Sequence, residues 1–176
     1  MSERGTQLLH MADDQLSALI DLFSTCDEAA LRLPCPGREK LGDGTVAACA
    51  SHTADNYLRI ATFLRGEDHA PLEHAHRARG SHRLPSFLRA RGHRSSHAHD
   101  THSAPHDVDR QELLERLSSG RNAFGVLGDL SDQQLDSVPL ASDMKFCDGQ
   151  RNLEQIVTNL LNHQSHQLDT LKAALT

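Results

Sequence analysis

Apolar residues recur at helical spacing in four stretches of the chain. In residues 8–31, LHMADDQLSALIDLFSTCDEAALR, the side chains of Leu16, Leu19, Ile20, Leu22, Phe23 and Ala30 fall mainly on one face, and Leu33-Pro34 ends the run. A second helix is predicted from Thr45, a good N-cap after LGDG, to Leu64 before Gly66. A third runs from Asp107 to Leu130, with Leu113, Leu114, Leu117, Phe124 and Leu127 inward and Gly120 as its weak point. The fourth follows Asn152, another suitable cap, and continues to Leu175. SVPLASDMKFCDGQR, between the third and fourth, reads as a connection that is extended in part. No alternating pattern is long enough to build a sheet. The expected fold is all-α: a four-helix bundle with two long connections, forming a single domain over residues 1–176.

The segment 69–106 has a different character. It holds six arginines against Glu73 and Asp100, so it carries +4 and leaves −10 on the remainder of a chain whose net charge is −6. It also contains nine of the 13 histidines, three prolines and one small apolar cluster, Leu84, Phe87 and Leu88. Such a stretch buries too little apolar surface to offset its ordering entropy. It reads as a long His/Arg-rich loop inserted between helices two and three, with one helical turn near LPSFLRARG. The H-x-H spacings at His74/His76 and His97/His99 suit loose chelation of a divalent metal, the charge suits pH-sensitive binding of an acidic partner, and a tolerated insertion without a role is the third reading. A flexible loop must lose entropy for every ligand it fixes, whereas helix-borne ligands are already placed. The working site is therefore expected on the helices.

Composition removes several functions. No run of about 18 apolar residues is present, so no membrane span is expected. The opening MSERGTQLLHMADD lacks the apolar core of a signal peptide. Cys26, Cys35, Cys49 and Cys147 form no CxxC pair, which favours a reduced, cytoplasmic protein with free thiols. Trp is absent and aromatics make up 3%, a poor basis for stacking nucleic-acid bases.

Helix four carries an anomaly. Asn162 to Gln167 are consecutive polar residues within an otherwise amphipathic pattern. Leu153, Val157, Leu160, Leu168, Leu171 and Leu175 define its apolar stripe; His163, Gln164 and Gln167 lie within or beside it, while Asn162 and His166 point away. Polar groups facing a core need partners, and a metal or a wet cavity would supply them. On helix two, Val46, Ala50, Thr53, Tyr57, Ile60 and Leu64 form the core stripe, and His52 sits on its flank with Cys49, Asn56 and Phe63. Taken alone, His52 reads first as a half-buried histidine bonded to a carbonyl or water. Cys49 has no base or cation beside it in sequence and is read as a small core residue rather than a nucleophile.

The stretches GTVAACASHTADNYLRIATFL and NLEQIVTNLLNHQSHQLDTL together resemble the second and last helices of the DinB/YfiT-like bundle family. There, a small N-cap is followed seven positions later by a metal-binding histidine, as Thr45 is by His52. The last helix of that family has an N-cap, a leucine and a later H-x-x-x-H, whose first histidine corresponds to His163. The resemblance covers the helical part of the chain. It implies a divalent metal, zinc foremost with nickel, iron or manganese as alternatives, and ligands at His52 and His163. The third position falls on Gln167, a neutral oxygen donor and a weaker zinc ligand than imidazole. His166 competes for that role, because i,i+3 residues share a helix face. The resemblance further implies a thiol S-transferase or isomerase that uses a low-molecular-weight thiol and a small-molecule substrate, in a homodimer. Two alternatives remain open at this point: a non-catalytic bundle that binds metal or a small ligand, helped by the His-rich loop, or a degenerate member of the family.

Overall fold

The computed structural model describes residues 2–66 and 109–176. Its regular elements are helical, with no strand among the described residues. Helix α1 spans Glu3–Ser24 and is capped by Ser2, whose hydroxyl accepts from Gly5 N. It begins earlier than residue 8 because that cap is available, and it ends earlier than residue 31. Thr25 turns its hydroxyl back onto the Asp21 and Leu22 carbonyls, and Asp27 caps a separate 3-10 turn, Glu28–Arg32.

Helix α2 spans Val46–Leu64 with Thr45 as N-cap, its side chain accepting from Ala48 N. The expected third helix is divided. Helix α3 covers Arg110–Ala123, the short α4 covers Val126–Asp129, and α5 covers Asp132–Asp136. Gly120, Gly125 and Gly128 weaken helix continuity here, and the bonds from Leu127 N to Phe124 O and from Gly128 N to Gly125 O tighten the chain into a 3-10-like step. Leu130 is extended, and Ser131 starts α5 with a capping box to Gln134. Residues 107 and 108, the expected start of this helix, lie outside the described residues, as do the His-rich loop 69–106 and its expected helical turn. Helix α6 spans Leu153–Leu175, with Asn152 and Gln155 forming a second capping box.

Helix α2 packs against α3 and α6, while α1 packs against α3, α4 and α6. The shared core includes Leu16, Leu19, Phe23, Tyr57, Leu117, Phe124, Leu161 and Leu171. Tyr57 and Phe124 meet edge to face at 5.6 Å. The Tyr57 hydroxyl donates to Gln15 Oε1 at 2.8 Å, and Gln15 Nε2 donates to the Leu161 carbonyl at 3.2 Å. That chain links α2, α1 and α6 through the interior. Gly5 permits a close approach: a Cβ there would stand 2.6 Å from the Leu127 carbonyl oxygen.

The apolar stripes are narrower than expected at several positions. Leu64, Leu153 and Leu175 near helix ends are only half-buried, as are Ile20, Leu22 and Leu114. Ile156 and Leu161 join the α6 core and widen its stripe. The connection 137–151 opens without turns, with Ser137 extended, and then folds back on itself: Cys147 N bonds Met144 O, and Ser142 N bonds Cys147 O. Among the described residues, no helix is long and apolar enough to cross a membrane.

Candidate functional site

The residues preceding α2 build one wall of a cleft. An isolated bridge pairs Pro34 with Thr45, and two hydrogen bonds close its neck: Cys35 N to Gly44 O at 2.8 Å and Val46 N to Leu33 O at 2.9 Å. Between them the chain runs through successive turns, Arg38 N to Cys35 O, Leu41 N to Arg38 O and Gly44 N to Leu41 O. Gly44 takes φ 75°, and a Cβ there would press on Glu39 Cα at 3.2 Å, so the loop closes around a residue without a side chain. This loop holds residues 37–41 against α2 and α6. The cavity beneath it has a volume of about 460 Å³ and is lined by Arg38, Glu39, Lys40, His52, His163 and Gln167 among others.

Three of the four expected ligand positions meet in that cavity. His52 comes from the flank of α2; His163 and Gln167 come from one face of α6, a turn apart. Both histidines are half-buried, and Gln167 is 2% exposed. His166 is exposed and lines no part of the cleft. The helix phase that turns Gln167 inward turns His166 out.

Each histidine is held close to its neutral form. Desolvation pushes the His52 pKa below 6.5; Arg38 and Lys145 push the same way, against a contrary pull from Asp55. His163 is lowered first by burial, then by Lys145, Arg38, His52 and His166. Asn56 Nδ2 lies 3.0 Å from His52 Nε2, one turn along α2. The direction of this contact follows the tautomer of His52: with Nε2 protonated and the amide turned about, the Asn56 oxygen accepts and Nδ1 keeps a free lone pair. Lys145 Nζ stands 3.5 and 3.4 Å from the two ring nitrogens of His163 and donates cleanly to neither. It also sits 5.2 Å from the Phe146 ring centre, and Phe146 holds a left-handed backbone, φ 71°.

Gln167 bridges the histidines to a buried thiol. Its Nε2 is 3.5 Å from His163 Nε2, and its Oε1 accepts from Cys49 Sγ at 3.7 Å. Cys49 is fully buried, and burial with the nearby Cys35 thiol pushes its pKa up to about 12. It is a protonated core thiol at neutral pH, as its sequence context suggested.

A second cavity of about 270 Å³ lies on the other side of the two histidines. His52 and His163 are the residues common to both cavities, so their rings form the partition. Buried Ile60, Leu160 and Met144 give the second cavity an apolar lining; Asn56, Arg59, Lys145 and Gln164 supply its polar groups. Gln164 is 1% exposed, its Nε2 donates to the Thr53 carbonyl at 3.2 Å, and its Oε1 has no hydrogen-bond partner.

Sequence reading missed Arg38, Lys40 and Lys145. Their signals were faint: the turn-rich CPGREKLGDG before the α2 cap, and a lysine in an irregular connection. Among the described residues these three cations have no carboxylate partner, whereas Arg59 is paired with Asp143 at 3.2 Å. Among the described residues, too, no three His, Cys, Asp or Glu side chains gather as a metal-binding group; the third member beside the two histidines is a carboxamide. No protein-family model, curated protein or solved structure matches this chain.

Proposed function

We propose that the protein is a divalent-metal-dependent enzyme of the thiol S-transferase or isomerase type, built on a four-helix bundle of the DinB/YfiT-like kind. One observation carries the reading: His52 of α2 and His163 and Gln167 of α6 line a single cleft. The donor set fits a divalent ion, because both imidazoles are kept unprotonated by desolvation and nearby cations, leaving a ring lone pair for a metal. His52, His163 and the Gln167 carboxamide would hold it, with zinc first among candidates. A metal there would stabilise the thiolate of a small thiol at neutral pH.

The chain's own residues do the remaining work. Asn56 fixes the ring of His52, and the 37–41 loop roofs the cleft. Arg38, Lys40 and Lys145 offset negative charge on incoming thiol and substrate. The histidine partition leaves one cavity for each of two small molecules, as a transfer reaction requires.

Metal analysis of the purified protein beside His52→Ala and His163→Ala tests this reading. Stoichiometric metal in the parent and its loss from both variants is the expected result. Unchanged metal content in both variants overturns it. A second reading, a binding protein without chemistry, draws support from the Gln167 oxygen, which is engaged by Cys49 rather than turned to the histidines. A thiol-conjugation screen on metal-loaded protein separates the two.

A further inference from the structure

We infer that the smaller cavity, lined by Gln164 and Lys145, is a binding site for an anionic small molecule that carries one neutral N–H or O–H donor on an apolar body. The anatomy is that of a ligand pocket: an apolar lining with a few placed polar groups. Ile60, Leu160 and Met144 are buried and give the body its contact surface.

Gln164 supplies the more telling feature. A buried acceptor without a donor is rare in a folded protein, because it has given up water for nothing. Its own nitrogen is committed to the Thr53 carbonyl, which fixes the amide so that Oε1 is the orphan. Oε1 is closed off from the cavity that Gln164 lines, and a ligand donor reaches it when the soft last side-chain torsion turns and the amide loosens its bond to Thr53.

Lys145 sets the charge of the ligand. Its ammonium has no carboxylate partner among the described residues and stands against the neutral ring of His163. Arg59 adds positive potential at the same cavity, although Asp143 partly neutralises it. A carboxylate is the simplest group that satisfies Lys145. An ammonium on the same ligand would be repelled, so the donor to Gln164 is a hydroxyl or an amide.

At about 270 Å³ the cavity lies near the small end of ligand pockets. A 2-hydroxycarboxylate with an aryl or branched apolar side chain meets all three demands. Binding of such a molecule needs no metal. Its role as the acceptor substrate, on the far side of the histidine partition from the thiol, rests on the metal-thiol reading above.

The test uses the full-length protein kept metal-free with a chelator, so its outcome is independent of whether the histidines hold an ion. Binding of mandelate, phenylacetate and 1-phenylethane-1,2-diol is measured by calorimetry. Phenylacetate lacks the hydroxyl donor, and the diol replaces the carboxylate with a neutral group. Mandelate is expected to bind most tightly, with each analogue weaker by about tenfold, the usual weight of one hydrogen bond to a buried or charged group. Gln164→Met should abolish the preference over phenylacetate while keeping that over the diol. Lys145→Met, at an exposed position that carries no folding risk, should do the reverse. Equal binding of the three probes, no binding by any of them, or preferences that survive in both variants would overturn the proposal.

Discussion

Gln167 Oε1 accepts a hydrogen bond from the buried thiol of Cys49, 3.7 Å away and on the neighbouring helix. The oxygen that would serve a metal is thus occupied by a weak donor, and the amide nitrogen is the atom turned toward His163. Bringing the oxygen round costs the Cys49 contact, a minor loss because a thiol is a poor donor.

Replacing Gln167 with His should tighten zinc binding by about tenfold, roughly 1.4 kcal/mol. The new ring would stand one turn from His163 on the same buried face. A competition titration against a chromophoric chelator measures the change. An unaltered or weaker affinity would show that the third position is not on this face.

His166→Ala should leave metal affinity unchanged in the same titration, because the side chain is exposed and lines neither cavity. Loss of metal in this variant would identify the i,i+3 pair as the chelate and remove Gln167 from the site.

The two cleft histidines should titrate below 6.5 in the metal-free protein. Burial is the main cause for both, followed for His163 by Lys145, Arg38, His52 and His166; for His52, Asp55 opposes Arg38 and Lys145. Since the folded-state values are depressed, the unfolded chain binds more protons in this window. Stability is then full above 6.5 and falls as pH drops through the folded values. Lys145→Met removes a cation from both rings and should raise both pKa values, more for His163. Imidazole NMR titrations read the shift directly; a lower or unchanged His163 value in the variant would contradict the electrostatic account.

Tyr57→Phe should destabilise the fold by about 1–3 kcal/mol, since it leaves Gln15 Oε1 without its donor in the interior. Urea denaturation gives the value. A change near zero would mean that Gln15 re-pairs within the core.

Much of this was legible in the chain. Thr45 and Asn152 announce α2 and α6 because capping chemistry is local and each side chain bonds the amide three residues on. The inward turn of Gln164 and Gln167 follows from helix phase alone. The break after Ala123 was not legible, because leucines at 127 and 130 stay buried whether the helix continues or steps, so periodicity cannot distinguish the two. Nor were Arg38 and Lys40: what brings them over His163 is the backbone bridge between Pro34 and Thr45, a pairing without a side-chain pattern. Lys145 lies in an irregular connection, beside a left-handed Phe146 that no propensity anticipates. Local rules placed the helix-borne half of the site, and tertiary contacts supplied its charge.

The central claim is that an ion sits between α2 and α6, held by the two histidines that divide the cavities. Anomalous diffraction at the zinc edge, from crystals of the full chain grown with zinc, tests it most directly. The account predicts a peak within about 2.0–2.1 Å of one ring nitrogen each of His52 and His163, with the Gln167 oxygen turned toward it. A map with no peak at that partition, or with its peak on His166 instead, would contradict it.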